Sequence, residues 1–199
     1  DRPPLKDRLA ALGCTVERVE LNTVGVYDTV SALGIAYIDI SDVPALKLDD
    51  GRVIVSSPLI ADFVDGKYPR PRFIPESFEA RIEVRRWEAL AEGTMDAVSA
   101  TLYEMRFHDE AKRSEAWIER QRSKFEGGFK AMEAMLGDRK WCVGEAMSLA
   151  DISIGCHLGF VNLRVPHYFP QDRYPELARL WRKMEERDSF KKTAPPSAK

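Results

Sequence analysis

A chain of 199 residues with 30 Lys and Arg against 32 Asp and Glu, a net charge of −2, has room for one moderate domain or two small ones. Hydrophobic content of 44% beside 31% charged residues excludes wholesale disorder, and the near-neutral balance gives no global electrostatic reason to bind nucleic acid or an anionic membrane. No apolar run approaches the length of a membrane span, and the start Asp1-Arg2-Pro3-Pro4 does not read as a secretory signal.

In chain order, Pro3–Leu12 reads as a short amphipathic stretch and Thr15–Leu21 as a strand. Ala45–Leu48 and Val53–Val55 flank an Asp-Gly pair, which predicts a β-hairpin. A helix follows at once, with Ser57 as its expected N-cap and Pro58 at the first helical position. Leu59, Ile60, Phe63 and Val64 are its expected buried face. The three prolines of residues 67–75 predict a linker between a first domain, 1–66, and an all-helical second domain, 76–199.

Beyond that linker the apolar residues recur at helical spacing. Ile82, Trp87, Leu90, Met95, Val98, Leu102 and Met105 predict one long helix, and Trp117, Phe125, Phe129, Met132 and Leu136 a second. Gly127 and Gly128 each cost about 1 kcal/mol relative to alanine in a helix, which a close helix–helix approach would explain. Ser148-Leu149-Ala150-Asp151 has the spacing of a capping box, with Met147 and Ile152 placed as a hydrophobic staple. The helix it opens is apolar nearly all round, as a central element is, and stops by Pro166. A last helix begins near Pro175 and packs through Leu177, Leu180, Trp181 and Met184, and the tail from Thr193 is expected to be disordered or draped over the surface.

The chemistry-bearing residues are sparse. Cys14, Cys142 and Cys156 are too few and scattered for a disulfide framework and read as reduced thiols of a cytoplasmic protein. His108, His157 and His167 fall in no metal-ligand spacing, so no metal is expected. No nucleophile elbow or phosphate-binding glycine loop is present. The alternating charges of Glu115–Glu126 read as a solvated helix face, and Asp151 as a folding residue.

The ordered motifs Val43-Pro44-Ala45-Leu46, Asp50-Gly51, Ser57–Ala61 and Ser148–Ile152 resemble the glutathione transferase superfamily. Within it, residues 86–96 and 189–196 are similar to a bacterial YibF-like branch. The resemblance implies an α+β protein: a thioredoxin-like α/β N-terminal domain followed by an all-α domain, usually as a homodimer. Pro3–Gly13 matches the family's first helix, so the first strand, the catalytic loop and the thiol-polarising residue are expected to precede Asp1, and no catalytic residue is assigned. The implied chemistry is detoxification: attack of the glutathione thiolate on a small electrophile or on a disulfide. Glutathione is thus the implied co-substrate.

Three residues are implied to hold it. A cis Pro44 would turn the main chain of Val43 towards the peptide. Ser57 and the helix start would hold the γ-glutamyl carboxylate, and Ser56 would take a second contact. Tyr103, Arg106 and Phe107, late on the long helix, are candidates for a second-substrate pocket. Ser56 stands where the family usually has Glu, Asp or Gln, and Asp42 would repel an anionic tripeptide if it pointed inward. Those departures favour the alternative of a non-catalytic binding or regulatory protein on the same fold. A scaffold domain serving a protein partner is a third reading.

Overall fold

The computed structural model describes residues 45–48, 50–67 and 72–194, and the chain divides between Arg72 and Phe73 into two units. The expected first helix, the strand Thr15–Leu21, Asp42 and the Val43-Pro44 bond lie outside the described residues.

In the first unit, β1 (Ala45–Lys47) pairs antiparallel with β2 (Val53–Val55), Leu46 opposite Ile54. The predicted hairpin closes through two bonds: the Leu48 N–H donates to the Arg52 carbonyl at 2.8 Å and the Gly51 N–H to the Leu48 carbonyl at 3.0 Å. Gly51 has φ +85°, the left-handed place that a three-residue hairpin loop requires and glycine takes without strain. Asp50 fastens the loop by accepting from the Arg52 backbone N–H and its Nε, and these bonds hold the carboxyl below its usual range.

Helix α1 (Ser57–Lys67) follows, and Ile60, Phe63 and Val64 pack with Ile54 against the buried Leu46 and Leu48, two residues apart and so on one strand face. Leu59 departs from the expected face and is exposed. The helix also begins one residue earlier than its predicted cap implies. The Ile60 N–H donates to the Ser56 carbonyl at 3.0 Å, so Ser56 takes the cap place and Ser57 is itself helical.

The second unit is built of five helices among the described residues: α2 (Phe78–Phe107), α3 (Glu115–Leu136), α4 (Leu149–Arg164), α5 (Pro175–Glu185) and the short α6 (Asp188–Thr193). Short 3₁₀ turns follow α2 and α4. None of these helices is long and apolar enough to cross a membrane. The core gathers Trp87, Phe125, Phe129, Leu158, Leu177 and Met184, with α2 packed on both α3 and α4, and α5 on both α3 and α4. Ile74 is buried and the Phe73 carbonyl accepts from the Leu149 N–H, so the far end of the proline-rich stretch is tied to the helical unit.

Three expected core positions are exposed instead: Ile82, Met105 and Trp117. The buried stripe of α2 runs through Val84, Trp87, Ala91, Met95, Val98 and Thr101. At 3.6 residues per turn Ile82 stands about 200° round from Val84, and Trp117 about 100° from the buried Ile118. Met105 lies one turn past the last buried residue of its helix. Thr193, expected in the tail, ends α6.

Two close approaches set the spacing of the helices. A Cβ on Gly128 would overlap Thr94 Oγ1 of α2, whereas Gly127 faces open space. A Cβ on Gly155 of α4 would lie 2.9 Å from Met184 Cβ and 3.0 Å from Phe190 Cε1. The expected reciprocal capping box opens α4: Asp151, fully buried, accepts from the Ser148 N–H at 2.8 Å, the Ser148 hydroxyl at 3.0 Å and the Cys142 N–H at 2.8 Å. It thereby ties the preceding loop to the helix start. Glu133 of α3 caps α5 in the same manner from a distance in sequence, accepting from the N–H groups of Glu176 and Leu177 at 2.9 Å each.

Candidate functional site

Two of the residues assigned to glutathione lie where the hairpin meets α1. Ser56 has φ +74°, the one non-glycine residue in the left-handed region among those described. That conformation costs a residue with a Cβ on the order of 1–2 kcal/mol and persists only where its surroundings enforce it. Its consequence is local: the chain turns sharply between β2 and α1, so that the Ser57 side chain, on the first helical residue, is exposed. The first turn of a helix has N–H groups without carbonyl partners inside the helix, and they carry partial positive charge. Hydroxyl and amides at one point make a place for a carboxylate. No sequence signal marks the strain, because serine lacks glycine's freedom and nothing in the Ser56-Ser57 pair shows which of the two is bent. Val43, the third assigned residue, lies outside the described residues.

The second-substrate candidates sit together on the last turns of α2. The rings of Tyr103 and Phe107 lie 5.7 Å apart, tilted by 44°, and the Arg106 guanidinium is 5.6 Å from the Phe107 ring centroid. Phe107 is 64% exposed, which is much for a phenylalanine on a folded helix. Sequence reasoning missed what holds this end in place. Glu104 accepts from the Ser114 N–H at 2.9 Å and meets His108 Nδ1 at 3.0 Å, and the Ser114 bond first, then His108, draws its carboxyl below the ordinary range. Arg113 reaches back with Nη2 to the Met105 carbonyl at 2.8 Å and with Nε to the His108 carbonyl at 3.0 Å. Those bonds satisfy carbonyls that a helix C-terminus otherwise leaves to water.

Two other titratable groups are shifted by burial in the helical unit. His157 has its pKa pushed down to about 4 by burial, against a smaller opposing pull from Asp96, so the ring is neutral at pH 7. Burial likewise raises the Cys142 thiol far above the range of a reactive cysteine, and the nearby Asp151 carboxylate raises it further. Cys142 and Cys156 are both unbridged. No group of three or more His, Cys, Asp or Glu that could hold a metal ion occurs among the described residues.

Residues 115–180 match the family model of the glutathione S-transferase C-terminal domain. The chain is 33% identical over 157 residues to the uncharacterised GST-like protein YibF of Escherichia coli (strain K12), covering 78% of this chain and 76% of YibF. Among solved structures it is similar to a glutathione S-transferase from Methylobacillus flagellatus KT with GSH bound, at 39% identity and a TM-score of 0.80 over 96% of this chain and 93% of that one. A glutathione S-transferase from Methylobacterium radiotolerans JCM 2831 in complex with glutathione sulfonate matches at 32% identity and a TM-score of 0.74, over 88% and 90% of the two chains. These similarities run over most of the chain, and the chain belongs to the glutathione S-transferase superfamily.

Proposed function

We propose that this chain binds glutathione through Val43, Ser56 and Ser57 and delivers its thiolate to a small electrophile. The observation that carries the reading is the Ser56 turn: a φ of +74° sets a hydroxyl and unpaired amides together at the start of α1. Two similar structures hold GSH or glutathione sulfonate. In conjugation the thiolate sulfur forms a bond to an electrophilic carbon and the leaving group departs with the electron pair. In disulfide reduction the sulfur attacks one sulfur of the disulfide and releases the other as a thiolate. The exposed Tyr103, Arg106 and Phe107 supply apolar and cationic surface for the acceptor.

The rest of the reading follows the same logic. Residues 1–66 form the glutathione domain, 67–75 the linker and 76–199 the helical domain, in a cytoplasmic protein serving detoxification. A homodimer is part of the proposal, supported by Phe78, 71% exposed, and the exposed Ile82 one turn along α2. Light scattering on the purified chain tests it, with a monomer as the contrary result. The alternative of a binding protein without turnover draws on Ser56, which offers a neutral contact where a carboxylate or amide is usual in the family.

The test of the principal reading is calorimetric titration of Ser57→Ala with reduced glutathione, beside conjugation to an aryl halide. Loss of a hydrogen bond to a charged group costs about 1.5–3 kcal/mol, roughly ten- to a hundredfold in affinity, while the fold loses about 1 kcal/mol or less. Unchanged affinity would leave Ser57 a helix residue only. Tight binding with no turnover of aryl halide or mixed disulfide would favour the binding protein.

A further inference from the structure

The helical unit has a cleft of about 200 Å³ between the middle of α3 and the loop that leads from α4 into α5. None of its lining residues belongs to the hairpin or to α1, so it stands independently of the glutathione reading. Its walls are aromatic and held by one another. Tyr168 stacks on Phe125 with centroids 4.8 Å apart, and Tyr174 lies nearly parallel to Phe169 at 5.6 Å. Such rings lose little further freedom when a ligand arrives.

The polar groups at the cleft are mostly cationic. Arg122 comes from α3, His167 and Arg173 from the loop, and Glu126 is the one carboxylate lining it. Two guanidiniums thus face one carboxylate in the lining, and the Glu119 carboxylate lies beside Arg122 just outside it. The Arg173 guanidinium has no hydrogen bond or ion pair among the described residues. Arg122 has only a long, exposed pairing with Glu119 at 3.4 Å, of a kind worth little in water. The Tyr174 hydroxyl has no protein hydrogen-bond partner among the described residues and is open to solvent at the cleft. The Tyr168 hydroxyl, by contrast, is engaged with Met105 Sδ at 3.2 Å.

We propose that this cleft binds a small monoanionic aromatic carboxylate, its ring against Tyr168 and Tyr174 and its carboxylate on Arg122 and Arg173. Guanidinium forks match a carboxylate in plane and in charge, and the stacked rings match a flat ligand. Glu126 sets the selectivity: it opposes a second negative charge and accepts from a hydroxyl on the ring. The volume suits a single ring, below the range of drug-sized pockets.

The experiment is a fluorine NMR titration of 4-fluorobenzoate with the full chain, repeated with saturating reduced glutathione and with 4-fluorobenzamide as the neutral probe. Saturable binding is expected, weakened about tenfold or more in Arg173→Gln and in Arg122→Gln, absent for the amide and unaffected by glutathione. Both arginines are exposed, and a thermal melt of each variant confirms that it is folded. Absence of saturable binding, equal affinity in the parent and both variants, or equal binding of the amide would overturn the proposal. Displacement by glutathione would also overturn it, by assigning the probe to the glutathione site.

Discussion

Gly127 and Gly128 are adjacent in α3, chemically identical, and should respond to alanine with opposite sign. Alanine at Gly127 meets nothing within reach, so it gains the difference in helix propensity, about 1 kcal/mol. Alanine at Gly128 gains the same amount, but its methyl overlaps Thr94 Oγ1 and lies 3.0 Å from both Cβ and Cγ2 of that residue. Thr94 is buried and donates its hydroxyl to the Leu90 carbonyl at 2.7 Å, so moving the hydroxyl aside breaks that bond. Overpacking of this kind costs about 1–3 kcal/mol, and loss of the hydroxyl bond adds about 1 kcal/mol. Subtracting the propensity gain leaves a net loss of about 1–3 kcal/mol. For a chain of this length each kcal/mol moves the thermal midpoint by about 2–4 °C. Circular-dichroism melts should therefore show Gly127→Ala rising by about 2–4 °C and Gly128→Ala falling by about 2–12 °C. Thr94→Ala in the Gly128→Ala background removes Oγ1 and Cγ2 and should recover part of the loss, so the two changes are non-additive. If both alanines shift the midpoint alike, or if the double variant is simply additive, the close approach of α2 and α3 at this point is wrong.

Asp151→Ala leaves the buried N–H groups of Ser148 and Cys142 without acceptors at about 1–3 kcal/mol each, partly offset by removing a buried carboxylate. Urea unfolding should register a loss of about 2–4 kcal/mol, and a loss below about 1 kcal/mol would mean the loop finds other partners. Because burial holds His157 near 4 while the unfolded ring titrates near 6.5, the unfolded chain takes up the proton first. Stability is then highest above about pH 6.5 and falls as pH drops towards 4, by at most about 3 kcal/mol from this residue. His157→Gln should flatten the stability profile measured from pH 7 to pH 5 by denaturant titration, and an unchanged profile would show that the ring is hydrated in the native state.

Much of the architecture was legible because it rests on local rules. The Asp-Gly hairpin needs a left-handed glycine and has Gly51; the central helix needs its cap and has Ser148 and Asp151; α5 begins at Pro175 as a proline at a first helical position should. Periodicity located α2 and α3 but not all of their buried residues. An apolar side chain such as Ile82 or Trp117 is hydrophobic whether or not a neighbour covers it. The order of motifs was enough to suggest the superfamily, since spacing along the chain is a property of sequence. What the tertiary structure decided is every relation between distant segments. Glu133 finds the start of α5 some 43 residues away, and Arg122 and Arg173 line one cleft that neither segment announces. Gly128 proves to be a contact and Gly127 does not. Even Ser56, one bond from the residue taken as the cap, owes its left-handed φ to the turn between a paired strand and a packed helix, because an isolated serine relaxes out of that conformation.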